Sequence, residues 1–340
     1  MALFQLVQAN AFVVDLGAHR LKLGLAHDVG PTTFLPFQPV YLAEPERLAQ
    51  RLYDAYRTTY AALVSEPQPV FLAVAQDARP SFLFRLADCL LSVFPGVVFH
   101  SALSCALYAS GRLTCVLLDA GQRALRVVTA LDGVLLDVVR ESRFCGAAFE
   151  CELLRLLRGG AGGTFEGALG DASELVPGTP LAELLDGVKR DFLAASLDPG
   201  RDAAISKTTE LYTASFRLPC GTELVLNGEK HGLFEELYGR SELLGTVTTA
   251  LETKALTSGC SGGGVPLVLS GGLSGLANFG RRLSRDLRGA RAAVVGSQDA
   301  ANAVWQGAAA FVGVGILQDA MITRRALDEE GAHLLARVVV

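Results

Sequence analysis

Phe12-Val13-Val14-Asp15-Leu16-Gly17 and Cys115-Val116-Leu117-Leu118-Asp119-Ala120-Gly121 decide how this chain is read. In each stretch an apolar run suited to a buried strand ends in Asp-x-Gly, a turn signal. In each, a second strand follows after a short gap. The first is Leu21-Lys22-Leu23-Gly24-Leu25, which alternates with period two; the second is Leu125 to Ala130. Both read as β-hairpins, with Asp15 and Asp119 at the tips of their first strands. A lone Asp-x-Gly is an ordinary turn. Two in matching contexts point to an internal duplication, and a duplication fixes architecture.

Working outward, apolar runs alternate with helical patterns, as in α/β proteins. Leu48, Leu52, Tyr56 and Tyr60 fall four apart and predict a helix over 45–64. Val70 to Val74 predicts a buried strand, Pro80 to Val93 a helix and Val97 to Phe99 another strand. Leu103 to Ser110 predicts a buried helix closed by Gly111. Residues 158–181 hold Gly-Gly-Ala-Gly-Gly and read as a surface loop, and Leu181 to Ala195 as a helix. Ala214 to Asn227 reads as a hairpin turning at Cys220-Gly221, and 258–264 as a flexible connection. Val265 to Ser270 is then a strand running into Gly271-Gly272, with a helix from about Leu276 to Leu287. Strand, glycine turn and helix together present backbone N–H groups and a positive helix end to a phosphate or sugar.

Composition removes several classes. Of 340 residues 50% are apolar and 19% charged, so the chain can build sizeable cores and is not largely disordered. The length suits two domains or one large duplicated one. A net charge of -5 supplies no basic field for nucleic acid. The seven cysteines are odd in number, show no C-x-x-C spacing and have no His cluster beside them. Neither a zinc site nor a disulfide framework is expected. The five histidines are scattered and read as surface or satisfied core residues. Met1 to Val14 has no positive n-region or clean apolar h-region, so no secretory signal is expected. No run of about 20 apolar residues is free of charge, so no membrane span is expected. Arg281-Arg282-Leu283-Ser284-Arg285-Asp286-Leu287-Arg288 reads as a helix with a solvated basic face.

The three loops together resemble the nucleotide loops of the actin family, and the resemblance is collinear over nearly the whole chain. Leu107-Tyr108-Ala109-Ser110-Gly111-Arg112 resembles an actin segment that precedes the second Asp-x-Gly. Val268-Leu269-Ser270-Gly271-Gly272 resembles the adenosine loop. Ala303-Val304-Trp305, Gln318-Asp319-Ala320-Met321-Ile322-Thr323 and Asp328-Glu329-Glu330-Gly331 resemble the actin C-terminal stretch. The chain is identified as a divergent actin-related protein. The resemblance implies a duplicated, ribonuclease-H-like, two-lobed α/β fold of the actin and Hsp70 ATPase type. Residues 1–113 would begin lobe one, with 300–340 returning to it. Residues 114–299 would form lobe two, with an insertion at about 150–240.

In that family the halves clamp ATP and a divalent metal. The resemblance puts Asp15 and Asp119 on a hydrated Mg²⁺, which keeps most of its waters. It puts Gly17 and Gly121 against the phosphates, Lys22 as a phosphate cation, Lys189 beside the nucleoside, and Ser270, Gly271 and Gly272 in the adenosine pocket. The departures fall on the same site. Ala18 and His19 replace the serine and glycine of the phosphate loop. Ala102 replaces the glutamine that positions the attacking water, and Arg126 the histidine that supports it. Arg190, Ala301 and Leu276 replace nucleoside contacts. Phosphoryl transfer rests on positioning and charge stabilisation, so these losses imply a crippled or absent ATPase. A retained ATP or ADP with Mg²⁺ and an empty cleft both stay open. Arg126 is either a static phosphate clamp or a guanidinium that fills the cleft on Asp119.

Tyr108, Phe311, Val314 and Ile316 match the apolar groove that takes partner helices or loops in actins, and a core reading of this apolar run competes with it. From Asp28 to Ala43 only a short connection stands where actins carry a small outer subdomain, so self-polymerisation is not expected. The leading expectation is a non-catalytic structural subunit of a cytoplasmic cytoskeletal assembly, dynactin-like, axonemal or other. Its partners would be protein subunits, not nucleic acid or membrane. The alternatives are a nuclear actin-related subunit of a chromatin remodeller and a weak ATP-dependent polymerising actin.

Overall fold

A computed structural model describes residues 10–62, 66–160, 176–219, 221, 223–253, 264–290, 292–295, 299–314, 317–331 and 333. The chain divides into two compact units, Met1–Gly111 with Asn302–Val340, and Arg112–Ala301. Ile316 and Cys220, like most of the 158–181 and 258–264 segments, lie outside the described residues.

The first unit holds a five-stranded sheet. Its strands are β1 (Phe12–Leu16), β2 (Arg20–Leu25), β3 (Thr33–Pro36), β4 (Val70–Val74) and β5 (Val97–Ser101). Their spatial order is β3-β2-β1-β4-β5. The hairpin pairs β1–β2 and β2–β3 are antiparallel, and β1–β4 and β4–β5 are parallel. Side chains on a strand alternate between faces, and this sheet buries both. Phe12, Val14, Leu72 and Phe99 meet Leu48, Leu52, Leu83 and Leu86 of the helices Pro45–Thr59 and Pro80–Leu90. Val13, Phe71, Ala73 and Val98 meet Cys105, Trp305 and Ala308 of the helices Ala102–Ser110 and Ala303–Gly313. That second helix pair is very close: a Cβ on Gly307 would lie 1.7 Å from the Cys105 carbonyl oxygen, so only glycine fits.

The second unit repeats the plan. Its strands β6 (Cys115–Ala120), β7 (Leu125–Leu131) and β8 (Val134–Glu141) form an antiparallel meander. Following the hairpin of β9 (Ala214–Arg217) and β10 (Glu223–Leu226), β11 (Val265–Ser270) joins β6 and β12 (Ala292–Val295) joins β11, both parallel. The order is β8-β7-β6-β11-β12. Counted along the chain, each five-stranded sheet runs third, second, first, fourth, fifth, with the same directions. The chain is therefore α/β with two mixed sheets of one topology, as the paired hairpins lead one to expect.

Local chemistry explains the helix starts. Four helices open on a proline, at Pro45, Pro80, Pro180 and Pro199, where a missing N–H costs nothing. Thr179, Asp198 and Thr323 cap the next turn through their side chains. Gly111 closes its helix at φ 63°. Three expected helices are shorter than their patterns. The first ends at Thr59, and the following Tyr60 has its hydroxyl bonded to Thr32 and to the Leu23 carbonyl. The second ends at Leu90 rather than Val93. The third is α-helical only over Pro180–Gly187 and widens to a π-turn over Val188–Phe192, which buries Val188, Lys189 and Phe192 together. After Gly271 a 3₁₀ turn, Gly272–Gly275, precedes the helix Phe279–Asp286, whose start is delayed by Asn278 at φ 63°.

Between Asp28 and Ala43 the described chain forms only β3 and the 3₁₀ turn Pro39–Leu42. No further subdomain stands there among the described residues.

Candidate functional site

Each Asp-x-Gly aspartate lies on a central strand and faces a base one strand away. Asp15 is the direct partner of Lys22 in the β1–β2 ladder, and Asp119 of Arg126 in the β6–β7 ladder. Directly opposed residues share a face. Lys22 Nζ accordingly lies 2.9 Å from Asp15 Oδ2, and Arg126 Nη1 lies 3.4 Å from Asp119 Oδ2. Both pairs span seven residues, so the duplication holds at the level of single side chains. Asp15 is buried, with Cys105 nearby; burial first, and the Asp15 charge second, push that thiol far above its ordinary pKa and leave it inert.

Gly17 follows β1. Gly121 follows β6; its N–H donates to the Ala124 carbonyl at 3.0 Å and its carbonyl accepts from Gly146 N–H at 3.0 Å. Ser270 pairs in register with Asp119 at the end of β11. It is fully buried, and among the described residues its Oγ has no hydrogen-bond partner. Gly271 adopts φ 88°, and a Cβ there would sit 2.4 Å from the Ala120 carbonyl oxygen. Both facts exclude a side chain at Gly271, and this backbone brings the β11 loop onto the β6 loop. Gly272 opens the following 3₁₀ turn.

Lys189 is placed differently from the other two cations. It is buried on the π-turn, with Nζ 2.5 Å from Glu150 Oε1 and 3.2 Å from Gln122 Oε1. Gln122 Nε2 donates to Glu150 Oε2 at 2.7 Å, closing a triangle. Asp186 adds a carboxylate 3.7 Å from Nζ. Gln122 and Glu150 were not singled out in the sequence. The signal for Glu150 is present: one acid in the otherwise uncharged run Cys145-Gly146-Ala147-Ala148-Phe149-Glu150. A lone acid on a buried face needs a cation. Gln122 directly follows the second Asp-x-Gly.

The replaced positions are chemically quiet. Ala102 is the first residue of its helix, behind the Ser101 cap, and offers only a methyl group. Arg190 is exposed and paired with Asp186 and Asp191. Leu276 is core, and Ala301 lies in the 3₁₀ turn Ala300–Asn302. Among the described residues no group of three or more His, Cys, Asp or Glu side chains is placed to hold a metal. The donor set fits a phosphate-bearing ligand in part. A buried hydroxyl without a partner and glycine-lined loops favour it, but each cation is already matched by a carboxylate of its own unit.

In the first unit Tyr108 and Phe311 stack at 5.9 Å, with His100 4.8 Å from Phe311 and its Nε2 3.2 Å from the Tyr108 hydroxyl. Phe71 backs the cluster at 5.5 Å. Val314 is 69% exposed. The Tyr108–Phe311 pair is thus half-buried rather than plain core.

One sequence expectation needs correction. The basic helix is not simply a solvated face, because Arg282 is buried. It is held by Glu235 and Asp286, donates to the Ser196 carbonyl at 2.7 Å and packs over Tyr238 at 5.0 Å. A guanidinium with planar faces and five donors can be buried where each donor finds a carboxylate or carbonyl.

No protein-family model matches the chain. No helix among the described residues is long and apolar enough to cross a membrane.

Proposed function

We propose that the chain is a divergent actin-related protein that keeps the family frame without its catalysis, and serves as a structural subunit of a larger, cytoskeletal protein assembly. One observation carries this reading: two sheets of one topology place Asp15–Lys22 and Asp119–Arg126 at the same point of the same hairpin. That arrangement fits the ribonuclease-H-like duplication of the actin and Hsp70 class. The departures support loss of turnover. Ala102 cannot orient a water molecule, and Arg126, paired with Asp119, carries a permanent charge where a base would be needed. If a nucleotide is retained, Lys22, the glycine loops and Ser270 would hold it, and Mg²⁺ would supply charge neutralisation of its phosphates. The reduced 28–43 connection supports a single embedded copy rather than a filament, and the half-buried Tyr108–Phe311 pair is the partner contact of this reading.

Phosphate release and self-assembly test it together. Purified protein with Mg-ATP and salt is expected to release no phosphate above background and to stay monomeric in sedimentation at high concentration. Turnover at the rate of a conventional actin, or helically repeating polymers of this chain alone, would sink the reading. Phe311→Asp is expected to release co-purifying subunits while the thermal transition persists.

A further inference from the structure

The resemblance sets Lys189 beside a nucleoside, yet this fold gives its ammonium other partners. Lys189 and Glu150 have side chains only 8% exposed each. An ammonium carries three donors. Two are spent within the second unit, on Glu150 Oε1 at 2.5 Å and on Gln122 Oε1 at 3.2 Å, and Asp186 Oδ1 stands 3.7 Å away. Glu150 spends its other oxygen on Gln122 Nε2, so each of the three side chains holds both of the others. The backbone fixes the triangle as well. Ala147 N–H donates to the Gln122 carbonyl at 2.8 Å, and a Cβ on Gly146 would lie 2.1 Å from Gln122 Oε1, so glycine there leaves the amide its room. The next residue, Arg190, is matched in turn by Asp186 and Asp191. Around the π-turn the carboxylates of Glu150, Asp186 and Asp191 therefore outnumber the cations of Lys189 and Arg190.

We propose that Glu150 is an internal ligand of Lys189 standing in place of a nucleoside, so that the protein does not distinguish a nucleotide from its bare phosphates. The proposal rests on the actin-related reading, which supplies the nucleoside position. Its physical ground is the cost of displacement. For Lys189 to turn to a ribose or a base, Glu150 must be left buried with its charge uncompensated, which weakens such binding by roughly a hundredfold or more. A neutral hydroxyl or ring nitrogen offers an ammonium less than a carboxylate does, so it does not recover that loss. The phosphate end is not closed in the same way. Arg126 is 21% exposed, and its contact with Asp119 is longer, at 3.4 Å. Phosphates could compete for that guanidinium without stranding a buried charge.

Equilibrium dialysis of the full chain against adenosine, Mg-ADP and Mg-pyrophosphate tests it. The parent is expected to retain no adenosine at millimolar concentration and to bind Mg-ADP no more than about twofold tighter than Mg-pyrophosphate. Glu150→Gln removes the charge, keeps an amide beside Gln122 and leaves Asp186 to balance Lys189. It is expected to tighten Mg-ADP by about tenfold or more, or to make its binding measurable where the parent shows none, while Mg-pyrophosphate shifts by less than about twofold. Glu150→Asp withdraws the carboxylate by one methylene; it should move Mg-ADP in the same direction, and it decides the matter if Glu150→Gln does not fold. A parent that binds adenosine, or that prefers Mg-ADP to Mg-pyrophosphate by about tenfold, overturns the proposal. So does a folded Glu150 variant with no gain for Mg-ADP, or with an equal gain for Mg-pyrophosphate. Any of these results in a chain that releases no phosphate and forms no polymer leaves the structural-subunit reading standing. Turnover or polymers would end that reading whatever Glu150 does.

Discussion

In the first half the Asp-x-Gly hairpin closes with an ammonium 2.9 Å from a buried carboxylate, and the next strand stops after four residues at Pro36. In the second half it closes with a guanidinium at 3.4 Å on a more exposed carboxylate, and the next strand runs for eight residues, six of them exposed. Topology, register and the seven-residue spacing are common to both. What differs is how each half treats its charges and its outer edge. The shared features are those that core packing requires, because a one-residue slip would turn every side chain of a strand to the wrong face. The differing features face solvent or the site, where packing imposes nothing. This is the pattern expected of a duplicated frame in which packing constrains the core and leaves the surface free to differ.

The comparison extends to a third cation. Lys189 and Glu150 have side chains only 8% exposed each, whereas Lys22 is 18% and Arg126 21% exposed. Removing one member of a buried pair leaves an uncompensated charge, which costs about 3–5 kcal/mol. Lys189→Met is therefore expected to give the largest loss of stability. Lys189→Met combined with Glu150→Met should recover much of it, since both charges then leave. Denaturant titration of the two single variants and the double variant measures the coupling. A Lys189→Met variant as stable as the parent would show that the triangle is not what orders the π-turn.

The hairpin pairs should follow in order. Lys22→Met removes a charge-assisted hydrogen bond from a buried aspartate and is expected to cost about 2 kcal/mol. Arg126→Met breaks a longer, wetter pair and should cost about 1 kcal/mol or less. Equal losses would mean that the two hairpins are energetically alike despite their geometry. A gain in Mg-ATP stabilisation in Arg126→Met would identify the guanidinium as what keeps the second aspartate from its ligand.

The duplication was legible because two Asp-x-Gly turns, each ordinary alone, follow matching apolar runs in matching hairpins. The glycine loop at Gly271 was legible because it too follows an apolar run. β3 and β8 were not. Thr33-Phe34-Leu35-Pro36 is too short for periodicity, and β8 lacks the alternation of a strand with one face in a core, since both its faces are largely exposed. The partners of Lys189 were hidden by distance, because Glu150 lies 39 residues away and Gln122 lies 67 away. Spacing motifs see local neighbours, whereas a buried charge is matched by whatever the fold brings to it. The burial of Arg282 was missed likewise: Asp286 stands four residues on in the same helix, but Glu235 becomes a partner only once the helices Glu229–Arg240 and Phe279–Asp286 are packed together.

The smallest effect separates the halves by pH. In the first unit His100 lies against Phe311 and Tyr108, and burial holds its pKa below the ordinary value. In the second unit burial pushes Glu141 up, but Arg143 hydrogen bonds and the N–H groups of Arg143 and Glu242 outweigh it, so its pKa is lowered; that of Asp286 is lowered chiefly by Arg282 and Arg285 against the same burial. Both cases are depressed values, so stability is present above the unfolded pKa and is lost as pH falls. The windows differ. For His100 the loss begins near the unfolded value of about 6.5, because the unfolded chain takes up a proton that the folded ring resists. For the carboxylates it begins only near about 4, where the unfolded acids protonate and the folded ones do not. Thermal melts of the parent and His100→Phe between pH 7.5 and 5 isolate the first term. The parent is expected to lose stability on acidification and the variant to lose less over the same interval. Glu141→Gln should leave that interval unchanged and flatten the curve only below about pH 4.5. Parallel curves for the parent and His100→Phe would show that the aromatic nest does not resist protonation.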